Sequence, residues 1–599
     1  MRTASLAITV LLVGFTPCVF ARQPVTAVVI MEGLTWQHIE QGQVGALYVL
    51  ARHGAVGLMS VGRAKEVTTS FAATLQTGRR LALPQRASAA LLKKRYPRRR
   101  WLMEDLARAG VEVQVHTEPS QESLQPLLVQ PSPSPSSVAQ VQIWWFRGSL
   151  TALSKGLERA IGSLNPETDR VLVIGLPPAG DQLAPVIMAG GGLPTGVLSS
   201  ATTRTAGLVS DVDLAPTLRQ WHGISTQFGE HPVRVIVEEN AFSRVQWLAQ
   251  QCRWNAQGLI PVGIAQVGGG LLAVLTAVRM IQRRTAARRT RLLLSVAIGA
   301  LLSLPAGTVL APHLPMGALW QYVGAILLSA FWLSLLAHWG AWDDPFRAYI
   351  RACALSVLVV LADVIGGQHG VKFSMYSAYA LSGIRFYGVG NELMGVLVGC
   401  ALAWGLYGLP ALLRGILWAA VAVMLAVPVW GANMGGLLTS AVGLGCAWET
   451  ARMKGKTLLR RCVGWFGVGL LAAIAVLWLD SLSASPSHAG EAWLHWRSEG
   501  WGALVDILSS KALLMVRVLL SPFTWGVLLA IGVALWRMRR IGVLPAFWNS
   551  DEYLPWLACI VAALVFNDSG FVPAAAILGV GVGALLTCKL QEAENGSAR

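Results

Sequence analysis

The sequence predicts a two-part molecule: an α/β sandwich head followed by a polytopic all-α membrane bundle of about 11 spans. Three observations predict it. Hydrophobic residues make up 54% of the 599 and charged residues only 13%, too apolar for a soluble chain. The apolar surplus begins at Gly258, beyond which runs of about 15–22 residues follow one another, the length that crosses a hydrocarbon core. Before it, residues 22–250 hold an ordinary globular mixture in which β-branched runs alternate with amphipathic stretches.

The chain opens with "MRTASLAITVLLVGFTPCVFA", one arginine, an apolar core and a small-residue ending at Val19 and Ala21. This reads as a secretory signal peptide over 1–21, or as an uncleaved anchor helix; either version exports the residues C-terminal to it. Phe15, Thr16 and Pro17 before Cys18 do not make a lipoprotein site. The exported part then keeps only Cys252, near the membrane. It is therefore expected to fold without internal disulfides or a cysteine–histidine zinc site.

The head, 22–250, reads as strands at "TAVVIMEGL", "AVGLMSV", "VEVQVHT", "VQIWWF", "RVLVIGL" and "RVIVEE". Helices are expected between them at "QVGALYVLARHG", "RWLMEDLARAG" and "LTALSKGLERAIGSL". Strand–helix alternation implies a layered sheet of mainly parallel strands. "PSPSPSS" (131–137) is too poor in apolar residues to pack and reads as a surface loop.

Two stretches of the head carry a resemblance. "VVIMEGLTWQHI", then "ALYVLARHGAVGLMSV" and "TTSFAATLQTGRR", resemble the opening of the alkaline phosphatase superfamily, and "AGLVSDVDLAPTLRQWHGI" (206–224) is similar to its ending. The resemblance covers most of 26–225 and implies an alkaline phosphatase-like fold. It also implies two metal ions held by Asp and His residues, with a Thr or Ser nucleophile. The chain departs from that pattern. Glu32 stands for the strand-end Asp, the nucleophile falls among Thr68, Thr69 and Ser70 without a unique choice, and the late Asp-His pair is missing. Two close dications need several anionic or imidazole ligands. His38, His53, His116, His222 and His231 have no ligand-like spacing to an acid, and Asp211 and Asp213 stand where a helix N-cap is expected. The head is read as a degenerate, inactive member, with no cofactor and no metal site.

From 251 to 590 the chain is the membrane domain, and 591–599 a short tail. Spans are read near 258–281, 292–311, 316–337, 352–366, 392–409, 414–431, 436–450, 462–482, 522–537, 553–567 and 571–588. The net charge of +17 does not mark a nucleic-acid binder. Many of the basic residues sit in the short loops 282–291, 451–461 and 536–540, the positive-inside signature. With the head exported, those loops and the C-terminus fall in the cytoplasm of a bacterial-type inner membrane. The polar motifs fall outside: "YSAYALSGIRFYGVGNE" (376–392), "GANMGG" (431–436), "SHAGEAWLHWRSEGW" (487–501) and "NDSG" (567–570).

The candidate site is drawn from these outer segments. Arg385 is the candidate phosphate or pyrophosphate binder, because a planar guanidinium fork matches phosphate oxygens. Glu392 and Asp568 are the candidate catalytic carboxylates, as general base or as partners that position Arg385. Asn391, Asn433 and Asn567 are candidate hydrogen-bonding groups for substrate. In a helix over 385–399, Arg385 and Glu392 share a face, and Gly395 and Gly399 form a small-residue pair for close helix contact. The bland alternative is that Arg385 and Glu392 pair, and that "GANMGG" and "NDSG" are helix turns.

The leading expectation is an envelope-biogenesis protein acting on a membrane lipid or lipid-linked substrate at the outer face, with envelope-assembly proteins as partners. The alternatives are a transporter or flippase, for which Asp363 and Gly-rich breaks near 267–270 and 431–436 are the hints, an active metal-dependent phosphatase or sulfatase, and a scaffold.

Overall fold

The computed structural model describes residues 24–61, 67–80, 89–96, 99–117, 128, 140–178, 183–227, 229–283, 287–377, 379–383, 385–450, 457–483, 486–544 and 552–597. The expected signal peptide, the 131–137 run and residues 451–456 of the second basic loop lie outside them.

The head is built on β1 (Thr26–Glu32), β2 (Ala55–Ser60), β3 (Val113–Thr117), β4 (Val141–Arg147), β5 (Arg170–Leu176), β6 (Ala184–Gly190), β7 (Gly196–Ser199), β8 (Leu208–Ser210) and β9 (Arg234–Val237). They form one sheet in the order β3-β4-β1-β5-β6-β2-β7-β9, with β8 also on β2. β1 runs parallel to β4 and β5 on its two edges, and with both faces buried its sequence is a continuous apolar run. Its side chains alternate between two cores. Val28 and Ile30 pack with Phe71, Leu75, Leu102 and Trp145, whereas Ala27, Val29 and Met31 pack with Leu47, Leu153 and Leu157. Strands β6 and β9 run antiparallel to their neighbours, so the sheet is mixed.

The C-terminal half is helical. Among the described residues six helices are long and apolar enough to cross a membrane: Ala241–Arg283, Arg288–His313, Leu319–His338, Pro345–Ile365, Arg460–Ser481 and Phe571–Ala593. Ala411–Ala426 and Leu554–Phe566 are shorter apolar helices. The run expected at 436–450 is not one regular helix. Met434–Leu438 passes into a π-helical segment, Thr439–Leu444, before Gly445–Thr450 resumes the α form. Helix Asn391–Gly408 lies against Phe571–Ser597 at the two glycines. A Cβ on Gly395 would meet Pro573 Cα at 2.6 Å, and one on Gly399 would meet Val580 Cβ at 3.1 Å. Small residues there let two backbones approach.

Head and bundle are joined twice. The 43-residue helix Ala241–Arg283 runs unbroken from one into the other, through the expected boundary at 250/251 and through Gly268–Gly270. The second join is packing, since Phe373 at the end of the short helix His369–Phe373 and the loop residues Phe386 and Tyr387 complete the core that contains Met31, Leu153 and Val245. Around it, Arg204 donates to the Pro428 carbonyl (3.0 Å) and lies 4.4 Å over the Tyr387 ring, and Lys372 donates to the Arg204 carbonyl (3.3 Å).

Candidate functional site

Residues 385–390 are not helical, so Arg385 and Glu392 do not share a helix face. Helix starts only at Asn391, because Gly388 takes a left-handed conformation (φ 79°) and Gly390 is the extended N-cap. A Cβ at Gly388 would collide with the Gly431 carbonyl oxygen. That close approach lets Val389 N–H donate to Gly431 O at 2.7 Å, joining this loop to 431–433. Ser377 ties the loop from within. Its hydroxyl donates to the Gly388 carbonyl (2.8 Å) and accepts from Gly390 N–H (2.9 Å).

Five of the six sequence-derived residues meet here. Arg385 Nη1 (3.0 Å) and Asn433 Nδ2 (2.8 Å) both donate to the Val389 carbonyl. Asn433 Nδ2 also lies 3.2 Å from Asn391 Oδ1, and Asn391 Nδ2 donates to Asp568 Oδ1 (2.8 Å) and Ser569 Oγ (2.6 Å). Asn433 Oδ1 accepts from Gly436 N–H at 2.7 Å, so it caps its helix as well. Glu392 enters through Tyr379, whose phenol stands beside its carboxylate. Burial and then the neighbouring Glu392 push the Tyr379 phenol well above its ordinary range, which keeps it a proton donor. Asn567 is the exception. Its amide turns away, donating to Thr439 Oγ1 (2.8 Å) and the Ala563 carbonyl (3.0 Å).

The direct Arg385–Glu392 pair does not form. The charges of Asp568 and Glu392 bear on Arg385, yet its guanidinium bonds a described residue only at the Val389 carbonyl. The remaining N–H groups of the fork have no partner among the described residues. Such a fork can take an anionic oxygen while two carboxylates stand close enough to hold its orientation or accept a proton.

Below this cluster lies a cavity of about 340 Å³ between the helices. Glu392, Tyr376 and Gln266 are polar members of its lining, and Tyr376 Oη donates to Gln266 Oε1 at 2.8 Å. The rest is mostly apolar. Sequence reasoning missed Tyr376, Tyr379 and Gln266. The signal for Gln266 was an amide inside an apolar span, where each polar group needs a partner.

In the head, the strand-end residues are engaged otherwise than two metal ions require. Glu32 accepts from Trp145 Nε1 (2.8 Å) and faces Arg147 (3.6 Å). Arg80, also missed, puts its guanidinium on Asp211 (2.8 Å), the Ser60 carbonyl (2.8 Å) and the Gly383 carbonyl of the Arg385 loop (3.1 Å). Asp211 is thus neutralised by an arginine. Asp213 closes a capping box with Ser210, whose N–H it accepts at 2.8 Å. His116 stacks on Trp144 at 3.8 Å. Among the described residues no group of three or more His, Cys, Asp or Glu is placed to hold a metal. Thr68, Thr69 and Ser70 lie in the first turn of helix Val67–Thr77. These residues do not fit a two-metal centre.

No protein-family profile matches this chain, and comparison with curated proteins returns no match.

Proposed function

We propose that this is an integral membrane protein of the cell envelope that takes a lipid-linked or phosphate-bearing substrate at the outer face of its bundle, in envelope glycan or lipid biogenesis. The observation that carries this reading is the juxtaposition of Arg385, with its open fork, and a mostly apolar cavity whose polar lining includes Glu392. A charged headgroup and a hydrocarbon tail need these two environments side by side. Arg385 would hold the phosphate, Asn391 and Asn433 would hold the loops that place it, and Glu392 or Asp568 would accept a proton.

The head is a degenerate phosphatase-like domain that docks without hydrolysing, with Arg80 turned to docking. In this reading Asn391–Gly408, Ala411–Ala426, the 434–450 segment, Pro522–Arg540 and Leu554–Phe566 also cross, giving eleven passes. The loops that carry Gly383, Pro428 and Asp568 then lie at the head end, and Arg288, Arg347, Arg461 and Arg539 at the opposite, cytoplasmic end. A transporter reading loses two of its hints. Helix Ala241–Arg283 is unbroken, and Asp363 caps the short helix His369–Phe373 by accepting from Gly370 and Val371 N–H at 2.8 Å each.

The test is the pair Arg385→Lys and Arg385→Ala. Lysine keeps the charge and loses the planar fork. Both variants should insert and fold, and both should lose the cellular role. Full function in Arg385→Lys, or in the double variant Arg385→Gln with Glu392→Gln, would end the site reading.

A further inference from the structure

The cavity has a shape more specific than a gap between helices. One wall is helix Ala241–Arg283 at Gly263 to Val274, a second is Phe571–Ser597 at Val572 to Leu586, and a third is Pro522–Arg540 at Phe523 to Leu535. Its volume, about 340 Å³, is that of a ligand pocket rather than a packing defect. Glycines keep it open. A Cβ built on Gly270 or Gly579 meets no atom within 4 Å. Helix Pro522–Arg540 has Ala241–Arg283 as its main neighbour, which leaves its other side toward Phe571–Ser597 and the bilayer. At its start stand exposed aromatic residues, Phe523 and Trp525, of the kind that sit at a membrane interface.

In a bilayer the hydrophobic effect does not drive a tail into such a slot, because the surrounding lipid is equally apolar. Occupancy comes from filling a void whose lining otherwise lacks dispersion partners, and from the headgroup. The polar boundary fixes what that headgroup is. Glu392 lines the cavity and lies within electrostatic range of Arg385, so the anion stands close to the first carbons of the tail. A phosphate attached directly to one chain puts the anion beside the first carbons of a single tail; a glycerol backbone with two acyl chains brings two tails to one slot.

We infer that the cavity is the tail slot for an isoprenyl phosphate, entered sideways between Pro522–Arg540 and Phe571–Ser597, with the phosphate at Arg385. This deepens the outer-site reading and rests on it for the headgroup. The experiment uses the full-length protein in lipid nanodiscs and a diazirine-bearing isoprenyl phosphate. Labelling is expected on peptides covering 263–274 and 572–586. Gly270→Leu and Gly579→Leu should each cut it roughly ten-fold or more by filling the slot, with thermal unfolding unchanged. Gly532→Leu, at a glycine with equal free space outside the cavity, should leave it intact. Labelling retained in both slot variants, labelling confined to the Thr457–Ser481 helix, or equal labelling by a diazirine phosphatidylglycerol would each overturn the assignment. The two readings fail separately. Loss of labelling in the slot variants with full function in Arg385→Lys keeps the slot and removes the arginine site. Retained labelling with loss of function in Arg385→Lys does the reverse.

Discussion

At the Val389 carbonyl two donors from distant parts of the chain meet, and this oxygen sets the position of Arg385. Asn433 is the second donor, and it also caps its own helix. Asn433→Asp keeps the capping oxygen but sets a carboxylate against Val389 O and Asn391 Oδ1. Its expected cost is about 1–3 kcal/mol in thermal unfolding, the penalty of leaving buried groups unpaired; Asn433→Ser should cost less. Asp213 makes a different residue-scale prediction. Burial raises its pKa from 3.8 to about 6, against the lowering by bonds from Thr202, Ser200 and the Ser210 N–H. Its folded value lies above the unfolded one, so the folded head holds this proton more tightly. The stabilisation is full below about pH 4 and is lost as pH rises through about 6, on the order of 2–3 kcal/mol. Protection of the 208–221 amides, corrected for intrinsic exchange, should fall across that window and stay flat in Asp213→Asn.

Helix-on-helix contact at Gly395 sets how near Asn391 stands to Asp568. Gly395→Ala puts a methyl 2.6 Å from Pro573 Cα, a backbone atom that cannot swing aside. The expected cost is about 1–3 kcal/mol in thermal unfolding, with the Asn391–Asp568 bond lengthened. This pair was readable because small residues four apart define a face of a helix. The strand runs were readable for a similar reason: β1, β4 and β5 are rich in β-branched or aromatic residues. β6 was not, since "APVIMAG" mixes Pro, Ala and Gly and becomes a strand only by pairing with β2 and β5. β7 and β8 are too short to carry a period. The site was legible as residue types at one end of the bundle, but its connections were not. Arg80 and Asp211 are 131 positions apart, and no local pattern announces that an arginine will cover an acid at a strand end. The cavity belongs to the spacing of helices rather than to any one of them.

For the whole molecule, the seat of the head on the bundle turns on Arg80, which spans both. Arg80→Gln should raise amide exchange in 379–390 roughly ten-fold or more while β1 and β5 stay protected, as a lost charged bond requires. Unchanged exchange would mean that the core around Phe386 and Tyr387 holds the seat alone. Sidedness is open to cysteine labelling. Ala287→Cys and Arg539→Cys should react with a membrane-impermeant reagent only from the cytoplasm, and Pro315→Cys and Ser569→Cys only from outside. Reaction of Arg539→Cys and Ser569→Cys from one side would break the eleven-pass reading. The 43-residue helix Ala241–Arg283 is about 64 Å of continuous rod. Mechanically it is a lever. Its upper arm is gripped by the head, and its lower arm, from Gly263 onward, is a wall of the cavity. Pro261, which cannot complete the backbone ladder, is the compliant point between them. A sideways load on the head is thus delivered as torque below the membrane surface. On the proposed reading, an assembly partner that never touches the bundle would gain leverage over the width of the slot, and a head without catalysis would still have work to transmit.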